Sequence, residues 1–148
     1  MALEQLAVFA LRHLATRDIS FTAASTLARL DRCGPARLTA LAADEGVTQP
    51  SMTQLIQRLE RQDLVRRVRD PDDGRVVLVA VTDAGRRLLT ARRQARTARL
   101  TELLATLPAE DERALAAAVR AAVPALQRLA DRAVTTQKAE KPLGHPTA

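Results

Sequence analysis

Read for hydrophobic spacing, the 148-residue chain is mostly helix, interrupted once by a β-hairpin. Leu3, Leu6, Ala7, Ala10 and Leu14 recur at helical intervals and predict a first helix over residues 3–16. Ala23, Ala24, Leu27, Ala28 and Leu30 predict a second, opened by Ser20 or Thr22 and running to about Asp31. Cys33-Gly34-Pro35 stops it. A short helix follows from about Thr39, its expected cap, to Glu45, with Gly46 closing it. From Thr48 onward Met52, Leu55, Ile56 and Leu59 repeat at i, i+3, i+4 and i+7, so one face of this helix is apolar. Pro50 is tolerated in the first turn, where its missing N–H has no helical partner to lose. The other face carries Gln49, Ser51, Thr53, Gln54, Gln57, Arg58 and Arg61.

The period then changes. Leu64–Arg69 and Val76–Val81 are β-favouring runs separated by Asp70-Pro71-Asp72-Asp73-Gly74-Arg75, a set of turn formers, and together they predict a hairpin. Thr82 caps a long helix running to about Leu107, with Leu88, Leu89, Ala95, Leu100, Leu103, Leu104 and Leu107 as its apolar positions. Six arginines, Arg86, Arg87, Arg92, Arg93, Arg96 and Arg99, are expected on its solvated side. After Pro108 a last helix carries Leu115, Val119, Ala122, Val123, Leu126, Leu129 and Ala130, with Pro124 expected to kink or weaken it. Residues 134–148 lose the apolar period and predict a disordered tail. The fold class is therefore mainly α with a small β-hairpin, about six helices and two to three short strands.

Charge sharpens this picture. Net charge is +6, and residues 37–100 alone carry +5, so the excess sits on the middle of the chain, where an anionic partner would dock. The basic residues are 21 Arg and 2 Lys, and the arginine fork suits phosphates and base edges. Two short helices joined by a few residues, the second with a polar outer face, make a helix-turn-helix, whose second helix enters the major groove. Gln49, Ser51, Thr53 and Gln54 are suitable base readers, and Thr48 begins a helix with free N–H groups for a phosphate. Arg58 and Arg61 lie further along, within reach of phosphate or a guanine edge. At the hairpin tip Arg75 suits a narrow minor groove, with an acid, Asp73, expected to orient the arginine by a charge-assisted bond, and Arg66, Arg67 and Arg69 suit flanking backbone.

The residues Leu41-Ala42, Gly46-Val47-Thr48-Gln49-Pro50-Ser51, Leu59-Glu60, Leu64-Val65, Asp70-Pro71-Asp72-Asp73-Gly74-Arg75 and Thr82-Asp83-Ala84-Gly85 follow one another in an order that resembles the MarR-type winged-helix transcription regulators. The resemblance covers roughly residues 20–107. It implies one MarR-like domain over 1–133, with a winged helix-turn-helix lobe at 20–82 and a helical dimerisation lobe from 1–19 and 83–133. It also implies a homodimer on a short pseudo-palindrome, usually a repressor, often released by a small ligand or oxidant. The DNA-binding set it points to is Thr48, Gln49, Pro50, Ser51, Thr53, Gln54, Arg58, Arg66, Arg69, Asp73 and Arg75. The alternative is a DNA-architectural protein without operator choice, although the uncharged reader face favours choice.

The remaining chemistry is thin. Cys33 is the single cysteine, so it has no intramolecular disulfide partner; it is a redox candidate beside the commoner reading of a small packing residue. His13 is a ligand-site candidate beside the commoner reading of a structural histidine. No His/Cys/carboxylate set has metal spacing, no glycine-rich phosphate loop occurs and no nucleophile has a neighbouring base, so neither a cofactor nor an enzyme is expected. The partners expected are double-stranded DNA, a second copy and a small-molecule effector. With no apolar run of membrane-spanning length and no signal-peptide pattern, the expected location is the cytoplasm.

Overall fold

Ser20 opens the first well-packed helix of the computed structural model, its hydroxyl accepting the Ala23 N–H at 3.2 Å. The structure describes residues 2–14 and 18–139. Its elements are α1 (Ala2–Phe9), α2 (Phe21–Cys33), α3 (Leu38–Asp44), α4 (Gln49–Arg61), β1 (Val65–Arg69), β2 (Val77–Val81), α5 (Asp83–Leu104) and α6 (Ala109–Ala139). A π-helical turn over Ala10–Leu14 follows α1. Residues 15 and 16 of the expected first helix, and the side chains of Leu3, Leu6 and Ala7 from its stripe, lie outside the described residues.

The chain divides into two compact units, the first ending at Thr101 and the second beginning at Glu102. The core of the first unit joins Leu27 and Leu30 of α2, Leu41 of α3, Met52, Ile56 and Leu59 of α4, and Val65, Val79 and Val81 of the hairpin. Burying each large aliphatic side chain contributes about 1.5–3 kcal/mol. Thr26, also buried, satisfies its hydroxyl on the Thr22 carbonyl at 2.8 Å. The strands pair antiparallel with Val65 opposite Val81 and Arg69 opposite Val77. Ala36 forms an isolated antiparallel bridge to Val79, donating and accepting at 3.0 and 2.8 Å. That bridge adds a one-residue third position beside the two strands.

Helix α5 leaves the hairpin through a crowded junction. Thr82 Oγ1 accepts the Gly85 N–H at 3.1 Å and donates to the Asp63 carbonyl at 2.5 Å, while the Thr82 N–H reaches the Leu64 carbonyl at 3.1 Å. A Cβ on Gly85 would stand 2.3 Å from the Leu64 carbonyl oxygen and 2.7 Å from Val81 Cγ2. Only glycine fits there.

Three expectations need correction. Helix α3 starts at Leu38 with Arg37 at the capping position and no side-chain cap, so Thr39 lies inside the helix. Arg92 is not on a solvated face. It is 7% exposed and donates to the Asp18 carboxylate. It follows Leu88 and Leu89 by four and three residues, which places it on the same inward stripe. Burial first, and repulsion from Arg96 second, hold its pKa below the usual arginine value. Helix α6 is helical through Pro124 and on to Ala139, past the point where a disordered tail is predicted. Residues 134–139 are Val, Thr, Thr, Gln, Lys and Ala, which lack an apolar period yet include good helix formers. The rest of the expected tail, 140–148, lies outside the described residues.

Candidate nucleic-acid interface

Between α3 and α4 the chain turns over four residues, Glu45 to Thr48, with Gly46 at φ 64°, a conformation that L side chains rarely adopt. Thr48 caps α4. Its Oγ1 accepts the Ser51 N–H at 3.3 Å and lies 2.9 Å from the Ser51 hydroxyl. Pro50 sits in the first turn. Met52, Leu55, Ile56 and Leu59 are buried at 0–7% exposure, so the opposite sector of the helix, Pro50, Gln54, Gln57 and Arg61, points away from the core. All four are exposed.

The sequence-predicted readers fall into two groups. Thr53 donates its hydroxyl to the Gln49 carbonyl at 2.9 Å, and Ser51 is tied to Thr48. These hydroxyls keep acceptor capacity but already hold a partner in their own helix. By contrast, the side chains of Gln49, Gln54, Arg58 and Arg61 have no hydrogen bond or ion pair among the described residues. Arg58 sits at one flank, where it lines a hollow of about 170 Å³ with Asp18, Ser20, Leu55 and Gln62. Gln57, which sequence reasoning placed on the polar face without assigning it a contact, lies with Gln54 at the centre of the exposed sector. The signal was its spacing of one helical turn from Gln54 and Arg61.

The wing is built by its acids. Asp70 Oδ1 accepts the Asp72 N–H at 3.0 Å, and Asp73 Oδ1 accepts the Arg75 N–H at 3.1 Å. The Asp70 N–H meets the Val76 carbonyl, and the Val76 N–H meets the Asp73 carbonyl, both at 2.9 Å. Asp73 therefore orients Arg75 through its backbone, not by gripping its guanidinium as expected. An Asp side chain bonding the backbone two residues on is a local turn device that competes well with a distant guanidinium. Arg66, Arg69 and Arg75 are exposed and carry no ion pair among the described residues. Arg67 is held by Glu60.

His13 is exposed and packs against Phe9 with ring centroids 5.1 Å apart. Cys33 is exposed at the end of α2. Among the described residues no group of three His, Cys, Asp or Glu could hold a metal ion, and no helix is long and apolar enough to cross a membrane.

A helix-turn-helix followed by a two-stranded wing defines the winged helix-turn-helix class. Residues 19–77, from just before α2 to the first residue of β2, match the family model described as MarR family. An HTH-type transcriptional regulator of Mycobacterium bovis, Mb0904, is 43% identical over 89 residues, covering 60% of this chain and 62% of that protein. The chain thus matches less than two thirds of that relative's length. Transcriptional regulator Tm0710 of Thermotoga maritima has the same fold, with a TM-score of 0.72 at 20% identity over 88% of this chain and 94% of that one. The PcaV transcriptional regulator of Streptomyces coelicolor, solved in complex with its natural ligand, superposes with a TM-score of 0.51 at 25% identity, over 84% and 89% of the two chains.

Proposed function

We propose that the chain is a sequence-specific DNA-binding transcriptional regulator that acts as a homodimer on a pseudo-palindromic operator. The observation that carries this reading is the joint presentation of Gln49 and Gln54 on α4 and of Arg66, Arg69 and Arg75 on the wing, whose side chains have no internal hydrogen-bond or ion-pair partner among the described residues. Gln54 and Gln57 present amides that can bond adenine at two points in the major groove. Arg75, its backbone fixed by Asp73, suits the minor groove beside it. Arg66 and Arg69 suit phosphates, which add affinity without sequence choice.

The second unit supports the homodimer. Leu115, Val119, Val123, Leu126 and Leu129 of α6 are 39–58% exposed. A contiguous apolar stripe of this length on a helix calls for a covering surface, and a second copy supplies one. The mode is repression, as the family resemblance implies, with release by a small ligand; the Streptomyces coelicolor neighbour's natural ligand is the precedent. The chain works in the cytoplasm and is not an enzyme.

The test is affinity for the DNA upstream of the chain's own coding sequence against a scrambled duplex. Arg75→Ala weakens binding to both about equally, whereas Gln54→Ala erodes the preference for the upstream duplex, each by roughly 1–3 kcal/mol. Unchanged affinity and preference in both variants would refute the contact assignment.

A further inference from the structure

The exposed sector of α4 and the tip of the wing are two arms, and their relative angle decides whether both reach one duplex. They are joined by three residues, Gln62, Asp63 and Leu64, with Asp63 in the left-handed region at φ 56°. At the root of the wing the chain is held by core burial of Leu64 and Val65 and by Thr82 on the Asp63 and Leu64 carbonyls. Further out, an ion pair ties the arms together. Arg67 Nε donates to both carboxylate oxygens of Glu60, at 3.1 and 3.3 Å.

The placement of this pair is informative. Arg67 shares its strand face with Val65, which is in the core, and lies opposite Val79. It is three residues beyond Leu64, about 10 Å along an extended strand. A bond at that distance from the root limits the swing of the wing more than a bond at the root does. Glu60 is in the last turn of α4, on the flank of that helix opposite Arg58. The two side chains are 47% and 27% exposed, and a pair in that setting adds little to fold stability. Its consequence is geometric.

We infer that Glu60 and Arg67 are positioning residues of the DNA interface: their ion pair sets the angle between α4 and the wing, and so delivers Arg75 to the groove beside the one read by Gln54. This rests on the DNA-binding reading above. It also removes Arg67 from the phosphate contacts, leaving Arg66 and Arg69.

Affinity for one duplex is measured for the full chain, Glu60→Gln, Arg75→Ala and the double variant, with Gln54→Ala made in both backgrounds. Arg75→Ala costs about tenfold in the unaltered chain and less than about threefold beside Glu60→Gln. The Gln54→Ala penalty is the same in both backgrounds. The exchanged pair Glu60→Arg with Arg67→Glu restores the full Arg75 penalty. An undiminished Arg75 penalty beside Glu60→Gln would overturn the inference and leave the DNA-binding reading standing. So would a fall of more than about 5 °C in the melting temperature of Glu60→Gln, since the pair would then be holding the fold. Failure of the unaltered chain to bind any duplex at low salt would remove the DNA-binding reading, and this inference with it.

Discussion

Helices α4 and α6 carry the same kind of pattern and meet different fates. Each has an apolar stripe at helical spacing. In α4 the stripe is Met52, Leu55, Ile56 and Leu59, and it is almost entirely buried within its own unit. In α6 the stripe from Leu115 to Leu129 is left about half exposed. Spacing therefore tells which face of a helix is apolar. It does not tell what covers that face. In α4 the cover comes from α2, α3 and the hairpin, and Gln54, Gln57 and Arg61 are left facing outward. In α6 the apolar face itself is what remains outside, and it is the surface assigned here to a second copy.

Two substitutions sharpen the contrast. The larger effect is expected from Ile56→Ala, which opens a hole in the core that α4 shares with α2, α3 and the hairpin. It should cost about 2–5 kcal/mol, read as a lower midpoint in thermal or urea unfolding. A change below about 1 kcal/mol would mean that α4 is not anchored by its stripe. The smaller effect on folding, and the larger on assembly, is expected from Leu126→Arg. This side chain is already 45% exposed, so the helical signal in circular dichroism should be retained. The mass in light scattering should fall from twice 16.1 kDa to 16.1 kDa. A dimer that survives Leu126→Arg would place the contact between copies elsewhere.

Much of α4 and the wing was legible before the fold because the signals there are local. A cap, a stripe and a dense turn each act within a few residues, and Thr48, Met52–Leu59 and Asp70–Arg75 behave as those signals predict. The Thr82-Asp83-Ala84-Gly85 segment was legible as a cap, but the need for glycine was not. That need arises from the Leu64 carbonyl, 21 positions away in the chain. Arg92 failed for a related reason: its residue type suggests solvent, while its position belongs to the inward stripe and its partner, Asp18, is distant in sequence. The role of Asp73 was misread because charge pairing was weighed above the nearer backbone N–H. The start of α3 was misplaced because Arg37 supplies no side-chain cap to announce it. In the candidate interface, sequence named most of the exposed residues. Which of their polar groups were already occupied, as in Thr53 and Arg67, required coordinates.

The measurement that bears most directly on the account is a hydroxyl-radical footprint of the full chain on its own upstream duplex. Two protected half-sites with centres about one helical turn apart, roughly 10 bp, and additional minor-groove protection flanking them, are the predicted result. Loss of the flanking protection alone in Arg75→Ala completes that prediction. Uniform protection without register, equal on scrambled DNA, would contradict it and favour an architectural protein that binds by charge.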